Sequence, residues 1–256
     1  MSSVFPHCLA DSPKALRFGS DALLLAAYAA KFLENSLASR KRNDCLIELG
    51  CGDGMAILGL LSLWPELEAL GIDLNADLIR LAETNSNNMG LDKVKFMTMD
   101  LRHVGASSLP YWQGKANLVL ANPPWRLPAE GRRSLDHARS CALWAEEDSL
   151  AIFSKAAGFF LKHKGQFCSI INPESLPRLI KEMERSQLGL REILPLAPYA
   201  DKPASRLLLR SQKNAQTLPR LLPPLILHTK QDAQVAGTKW SEAALNFCPW
   251  LACRHL

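Results

Sequence analysis

Short apolar runs alternate with helix-length segments through most of this 256-residue chain. That alternation restricts the fold more than any other feature of the sequence. Residues 45–49, 69–72, 94–97, 116–121 and 166–171 read as strands. Between them, 54–64 reads as a helix closed by Pro65, and Asn75 caps a helix holding Leu78, Ile79, Leu81 and Ala82, with Gly90 after its end. Residues 149–163 read as a helix broken by Gly165, and 176–187 as another. Ahead of the first strand, Asp21 is placed to cap a helix over 22–37. Strands separated by helices imply crossover connections and a mostly parallel sheet covered on both faces. The last two runs, 190–196 and 205–210, have no helix between them and predict an antiparallel pair. The expected fold is therefore α/β, a Rossmann-like doubly wound, mostly parallel sheet with an antiparallel edge hairpin. The length suits a single domain over 1–256.

Several classes of protein are disfavoured. No basic region leads into an apolar one near the start, so no signal peptide is expected. The longest apolar stretch, 22–33, is interrupted by Lys31 and too short to span a bilayer, so no membrane role is expected and the chain reads as cytoplasmic. Seven cysteines form no Cys-x-x-Cys pair, and neither a metal site nor a disulfide framework is expected. Cys45 and Cys168 sit inside apolar runs and read as small hydrophobes. Charge is uneven. Residues 1–125 hold 11 basic against 13 acidic side chains, and 126–256 hold 19 against 12. A basic half suits a polyanion such as nucleic acid, and equally suits a solvated surface.

The strand ends carry the chemistry. Glu48-Leu-Gly50-Cys-Gly52-Asp-Gly54 follows the first strand, and its alternating glycines let the backbone turn tightly and approach a ligand. Asp73, at the end of the second strand and 23 residues after Gly50, is placed for ribose hydroxyls. Asp100 ends the third strand and can accept from an adenine amine, with Leu101 against the ring. Glu48 and Asp53 disfavour a pyrophosphate here. A cationic, phosphate-free nucleoside such as S-adenosylmethionine fits better. Each feature alone reads as a tight turn or a helix cap. Together with Asn122 they follow four successive strands at their carboxyl ends, the edge where open α/β sheets bind ligands. The fourth run ends in Asn122-Pro123-Pro124-Trp125. This is either a strand stop with a packed Trp or a rigid catalytic lip. The charged segment 126–148 that follows is long enough to read as functional or disordered.

These motifs resemble class I S-adenosylmethionine-dependent methyltransferases that act on planar amino groups. Arg17-Phe-Gly-Ser-Asp21-Ala-Leu-Leu-Leu-Ala26, Asp201-Lys-Pro-Ala-Ser-Arg-Leu-Leu-Leu209 and Leu222-Pro-Pro-Leu-Ile-Leu227 are similar to the bacterial tRNA(Val) (adenine-N6)-methyltransferases. The resemblance spans about residues 5–229. It implies N6-methylation of an adenine in RNA, most simply in tRNA beside the anticodon, without a metal. It implies Asn122, Pro123, Pro124 and Trp125 as catalytic residues. It implies that Glu48, Gly50, Cys51, Gly52, Asp73, Leu74, Asp100, Leu101 and Asn122 hold the cofactor. Arg17 and Asp21 would lie over its methionine end, within a covering segment 1–40. Trp125 stands where the family usually has Tyr, which keeps a stacking face and loses a hydroxyl.

An adenine amine is a poor nucleophile because its lone pair is delocalised into the ring. Acceptors at Asn122 Oδ1 and the Pro123 carbonyl would free that pair, and Trp125 would stack on the base. Arg126, Arg132, Arg133 and Arg139 in the substrate-facing segment 126–148, with Lys202 and Arg206, are candidates for RNA backbone. Trp240 and Trp250 read as packing residues. The alternatives are a protein-glutamine methyltransferase, an rRNA guanine-N2 methyltransferase and a non-catalytic RNA-binding module.

Overall fold

The computed structural model describes residues 20–37, 44–123, 149–229 and 239–255. Arg17, Pro124, Trp125 and the segment 126–148 with its arginines lie outside the described residues, as does most of the segment 1–40. Helix α1 (Ser20–Leu37) precedes β1 (Cys45–Leu49), α2 (Met55–Leu63), β2 (Glu68–Asp73), α3 (Ala76–Asn88), β3 (Val94–Thr98) and β4 (Ala116–Ala121). Then come α4 (Ser149–Phe160), β5 (Leu161–Ile171), α5 (Leu176–Arg185), β6 (Leu188–Ala197) and β7 (Arg206–Lys213). The strand order is β3-β2-β1-β4-β5-β7-β6. The first five strands run parallel, and β7 is antiparallel to both β5 and β6. This is the mixed α/β sheet the alternation predicts.

The least legible part of the sequence, after Pro223, together with the residues just before it, extends that edge. Beyond β6, the two-residue strands β8 (Arg220–Leu221) and β9 (Leu225–Ile226) pair with β6 in parallel. A separate pair, β10 (His228–Thr229) and β11 (Lys239–Trp240), leads into α6 (Glu242–Phe247). Trp250 is buried, and Trp240 stacks on His228 at 4.5 Å, so both tryptophans pack.

The sheet has two buried faces because β1 and β4 are buried along their whole length. Leu46, Leu118, Leu120, Cys168, Ile170 and Leu208 face the layer that holds α1 and α2. Their neighbours Ile47, Val119, Ala121, Phe167 and Ile171 face the layer of α4 and α5. Alternation in a pleated strand produces this division. The thiols of Cys45 and Cys168 are buried, and burial pushes the Cys45 thiol up to about 12. Both behave as small apolar groups.

Two local expectations need correction. The helix read over 149–163 ends at Phe160, and β5 starts at Leu161. Ala116 faces Leu161 while Leu118 faces Gln166, so residues between them bulge out, with Lys164 at φ 62°. A Cβ on Gly165 would fall 2.9 Å from the Ala116 carbonyl oxygen, so the missing side chain lets the bulge close onto β4. Asp21 does not cap α1. The helix starts at Ser20, and Asp21 in its first turn accepts a hydrogen bond from Arg206 Nε at 3.0 Å. A partner 185 residues away outcompetes the local cap. Asn75 does cap α3, accepting from the Asp77 and Leu78 amides at 2.9 and 3.4 Å.

Candidate active site

Four polar strand ends meet at one edge of the sheet. The turn after β1 has Gly50, Gly52 and Gly54 at φ +66°, +57° and +85°, a conformation that costs any other residue strain. The turn hangs on β2. The Gly50 and Cys51 amides donate to the Ile72 carbonyl at 2.8 and 3.0 Å, and the Gly52 amide donates to Asp73 Oδ2 at 2.8 Å. A Cβ on Gly50 would lie 3.2 Å from the Phe153 ring of α4. Phe153, 103 positions further on, has no signal in the sequence that would have linked it to this turn.

The turn is rich in buried carboxylates. Glu48 is 4% exposed, and its Oε2 accepts the Ile57 amide at 2.9 Å, satisfying a first-turn donor of α2. Burial pushes the Glu48 carboxyl well above its ordinary range. The Ile57 amide opposes that shift, and the charges of Asp53 and Asp73 add to it. Asp53 is also buried, and its carbonyl accepts from Asn85 Nδ2 at 3.1 Å. Burial likewise raises Asp73, against the amides of Asn75, Gly52 and Leu74. Asp73 Oδ1 takes the Asn75 amide at 2.9 Å. Two carboxylate oxygens offer about four acceptor sites, so further donors can be accommodated. Cys51 is buried, with Sγ 3.8 Å from the Gly52 carbonyl oxygen, and burial raises its thiol well above the usual range. Leu74, next along, is 63% exposed, an apolar side chain left open beside the turn.

At the end of β3, Asp100 accepts the Arg102 amide at 2.9 Å and Arg102 Nε at 2.8 Å. The hydrogen bond from the Arg102 side chain holds its carboxyl below the usual range. Leu101 is half-buried against the α4 layer. Sequence reasoning placed Asp100 at this edge but missed Arg102 as its partner.

At the end of β4, Asn122 is half-buried and Pro123 buried. Among the described residues the Asn122 amide has no hydrogen-bond partner. The pleat of β4, continued one residue, puts Asn122 on the same face as Leu118 and Leu120, the face α1 covers. Among the described residues there is no group of three His, Cys, Asp or Glu able to hold a metal ion, and no helix is long and apolar enough to cross a membrane.

Fold and edge define a class: open α/β domains, which bind ligands across the carboxyl ends of their strands. Residues 40–241 match the model of the family described as a methyltransferase domain, and the chain belongs to that family. It is 32% identical over 145 residues to the release factor glutamine methyltransferase of Deinococcus radiodurans, covering 54% of this chain and 49% of that protein. It is 27% identical over 161 residues to a 23S rRNA (uracil(747)-C(5))-methyltransferase of Shewanella sp., covering 61% of this chain and 33% of the other. The chain thus spans about half or less of the length of these relatives. A crystal structure described as a predicted O-methyltransferase from Agrobacterium tumefaciens superposes with a TM-score of 0.66 at 17% identity, covering 90% of this chain and 96% of that one. That likeness is one of fold.

Proposed function

We propose that this protein is an S-adenosylmethionine-dependent methyltransferase acting on the exocyclic N6 amine of an adenine in RNA, in tRNA beside the anticodon. One observation carries the reading. An amide without a partner among the described residues ends β4 directly before a buried proline, on the edge that holds the glycine turn and Asp73.

The residues present fit the cofactor. The left-handed glycines let the backbone turn tightly at the strand end, Asp73 retains acceptor capacity for ribose hydroxyls, and exposed Leu74 offers an apolar surface to a purine. The acidic side chains of Asp53 and Asp73 disfavour a phosphate here and favour a cation. Glu48, Gly50, Cys51, Gly52, Asp73, Leu74, Asp100, Leu101 and Asn122 would hold it, with Arg17 and Asp21 at its methionine end. Bound S-adenosylmethionine supplies a methyl group made electrophilic by its sulfonium.

Asn122 Oδ1 and the Pro123 carbonyl accept the two hydrogens of the substrate amine. That draws its lone pair out of conjugation and favours the positive nitrogen of the transition state. Proline restricts the backbone and holds the second acceptor in place. Pro124 extends the stiff lip, and Trp125 stacks on the base. The arginines of 126–148 engage RNA backbone, and an unpaired tRNA loop presents its base without the cost of flipping. Cytoplasm is the proposed location.

A second reading, methylation of a glutamine amide in a protein, is favoured by the similarity to the Deinococcus enzyme. Methyl transfer to tRNA, to rRNA fragments and to a release-factor peptide, followed by mass spectrometry of the digests, separates the readings. N6-methyladenosine from tRNA is the expected product. N2-methylguanosine or methylglutamine would overturn the substrate assignment, and transfer to none of them would leave an RNA-binding module.

A further inference from the structure

Two side-chain hydrogen bonds pin helix α1 to the β6–β7 hairpin. Asp21 pairs with Arg206, the first residue of β7, at 3.0 Å. Two helical turns later, the Tyr28 hydroxyl donates to Glu192 of β6 at 3.1 Å. Positions seven apart lie on one helical face, about 10.5 Å along the axis. On the hairpin, Arg206 pairs with Leu196, four residues from Glu192, or about 13 Å along the strand. The two rulers match closely enough for both pins to form at once.

Further along the helix, Arg210 of β7 lies over the Phe32 ring at 4.8 Å and Lys31 over the Phe247 ring at 4.3 Å, but the stretch between the two pins is almost wholly apolar. Every residue from Ala22 to Ala30 is buried, and all but Tyr28 are Ala or Leu. Packing of such a surface is non-directional and specifies axial register weakly. A pair of polar contacts fixes register and rotation together. The Asp21–Arg206 pair is about one-quarter exposed on each side, so solvent screens it less than a surface pair. It also lies at the catalytic edge. Leu207, next to Arg206, faces Ile171, the last residue of β5, and β5 is the neighbour of β4, which leads to Asn122.

We propose that Arg206 is a positioning residue: together with the Tyr28–Glu192 contact it holds α1 in the one register that keeps the Asp21 carboxylate at the edge where Asn122 ends β4, facing the α-ammonium of the cofactor's amino-acid end. The inference rests on the functional reading above. It also removes Arg206 from the candidates for RNA backbone, because its guanidinium is committed within the fold.

The test titrates the full chain with S-adenosylmethionine and with 5′-methylthioadenosine, which has the nucleoside but lacks the amino-acid end. Arg206→Gln is expected to weaken S-adenosylmethionine roughly tenfold and to leave 5′-methylthioadenosine unchanged. Arg206→Lys should recover part of the loss. Tyr28→Phe removes the other pin away from the edge. It should lower Tm and weaken S-adenosylmethionine alone, by less than Arg206→Gln does. The double reversal D21R/R206D should restore Tm without restoring S-adenosylmethionine affinity, since the carboxylate then stands on β7. Equal weakening of both ligands by R206Q and Y28F would reduce the pair to a structural contact and overturn the proposal. So would full recovery of affinity in the double reversal. If the wild type binds S-adenosylmethionine and R206Q binds it equally well, only this assignment falls. If the wild type binds none, the functional reading falls with it.

Discussion

Two strands of this sheet end in Asn-Pro, and the two ends are not equivalent. Asn122-Pro123 follows β4, and Asn172-Pro173 follows β5. Both succeed a buried apolar strand, and both prolines stop the ladder. Asn172 is 7% exposed, and its amide is consumed locally: Nδ2 donates to Glu174 and Oδ1 accepts from the Ser175 hydroxyl. The Asn172 carbonyl also accepts the Ser175 amide at 3.2 Å, which starts a short turn into α5. Asn122 is more exposed and makes no such bond among the described residues. Among the described residues, the same dipeptide therefore closes a turn in one place and leaves the side-chain amide without a partner in the other. Glu174 and Ser175, which follow directly, satisfy the second amide. The same dipeptide thus has different surroundings at the two strand ends.

The comparison breaks most readily at Asn122. Asn122→Ala should lower turnover by about a hundredfold or more, the scale seen when one preorganised transition-state partner is removed, with cofactor affinity held within about twofold. Single-turnover methyl transfer and calorimetry read the two quantities separately. Turnover that survives the change would place the chemistry elsewhere on the edge.

Asp73→Ala should act on the other half of the site. Loss of hydrogen bonds to a charged group is worth about 1.5–3 kcal/mol, so cofactor affinity should fall roughly tenfold to a hundredfold, and the Gly52 amide loses its acceptor. A titration that finds unchanged affinity removes Asp73 from the site.

Glu48 tests the electrostatics through pH. Its carboxyl is raised in the folded state, so the native protein holds that proton more tightly than the unfolded chain does. Stability from this group is therefore present below the ordinary glutamate range, about 4.3, and declines as pH rises from there towards the folded value. Asp73 is raised as well and acts in the same direction. Glu48→Gln keeps an acceptor for the Ile57 amide and should flatten that decline, by up to about 1.4 kcal/mol per pH unit. Denaturant midpoints across pH 4–8 would check it, and an unchanged slope would show that Glu48 ionises freely.

The smallest effect sharpens the contrast between the two Asn-Pro ends. Asn172→Ala should cost about 1 kcal/mol of stability, the worth of its lost side-chain bonds, and leave turnover within about threefold. Thermal unfolding and kinetics measure both. A loss of turnover as steep as that of Asn122→Ala would erase the distinction.

Much of the fold was legible because it depends on short-range rules. Asn75 reads as a cap and is one, since the side chain reaches amides two and three residues ahead. The glycine spacing reads as a tight turn because only a residue without Cβ adopts those φ values cheaply. Contacts of long sequence separation were not legible. Asp21 reads as a cap by the same local logic and is claimed by Arg206 instead. The α4 helix, read to residue 163, stops at Phe160 because Leu161 finds a partner in Ala116 on the neighbouring strand.

The sequence by itself determined the order of strands and helices, the left-handed turn, and the polar residue that closes each strand. These follow from backbone sterics and from periodicity within a few residues. Only the tertiary structure decided where α1 is pinned, and that Phe153 closes over Gly50. Those outcomes depend on which groups meet across the sheet, and no local rule carries that information.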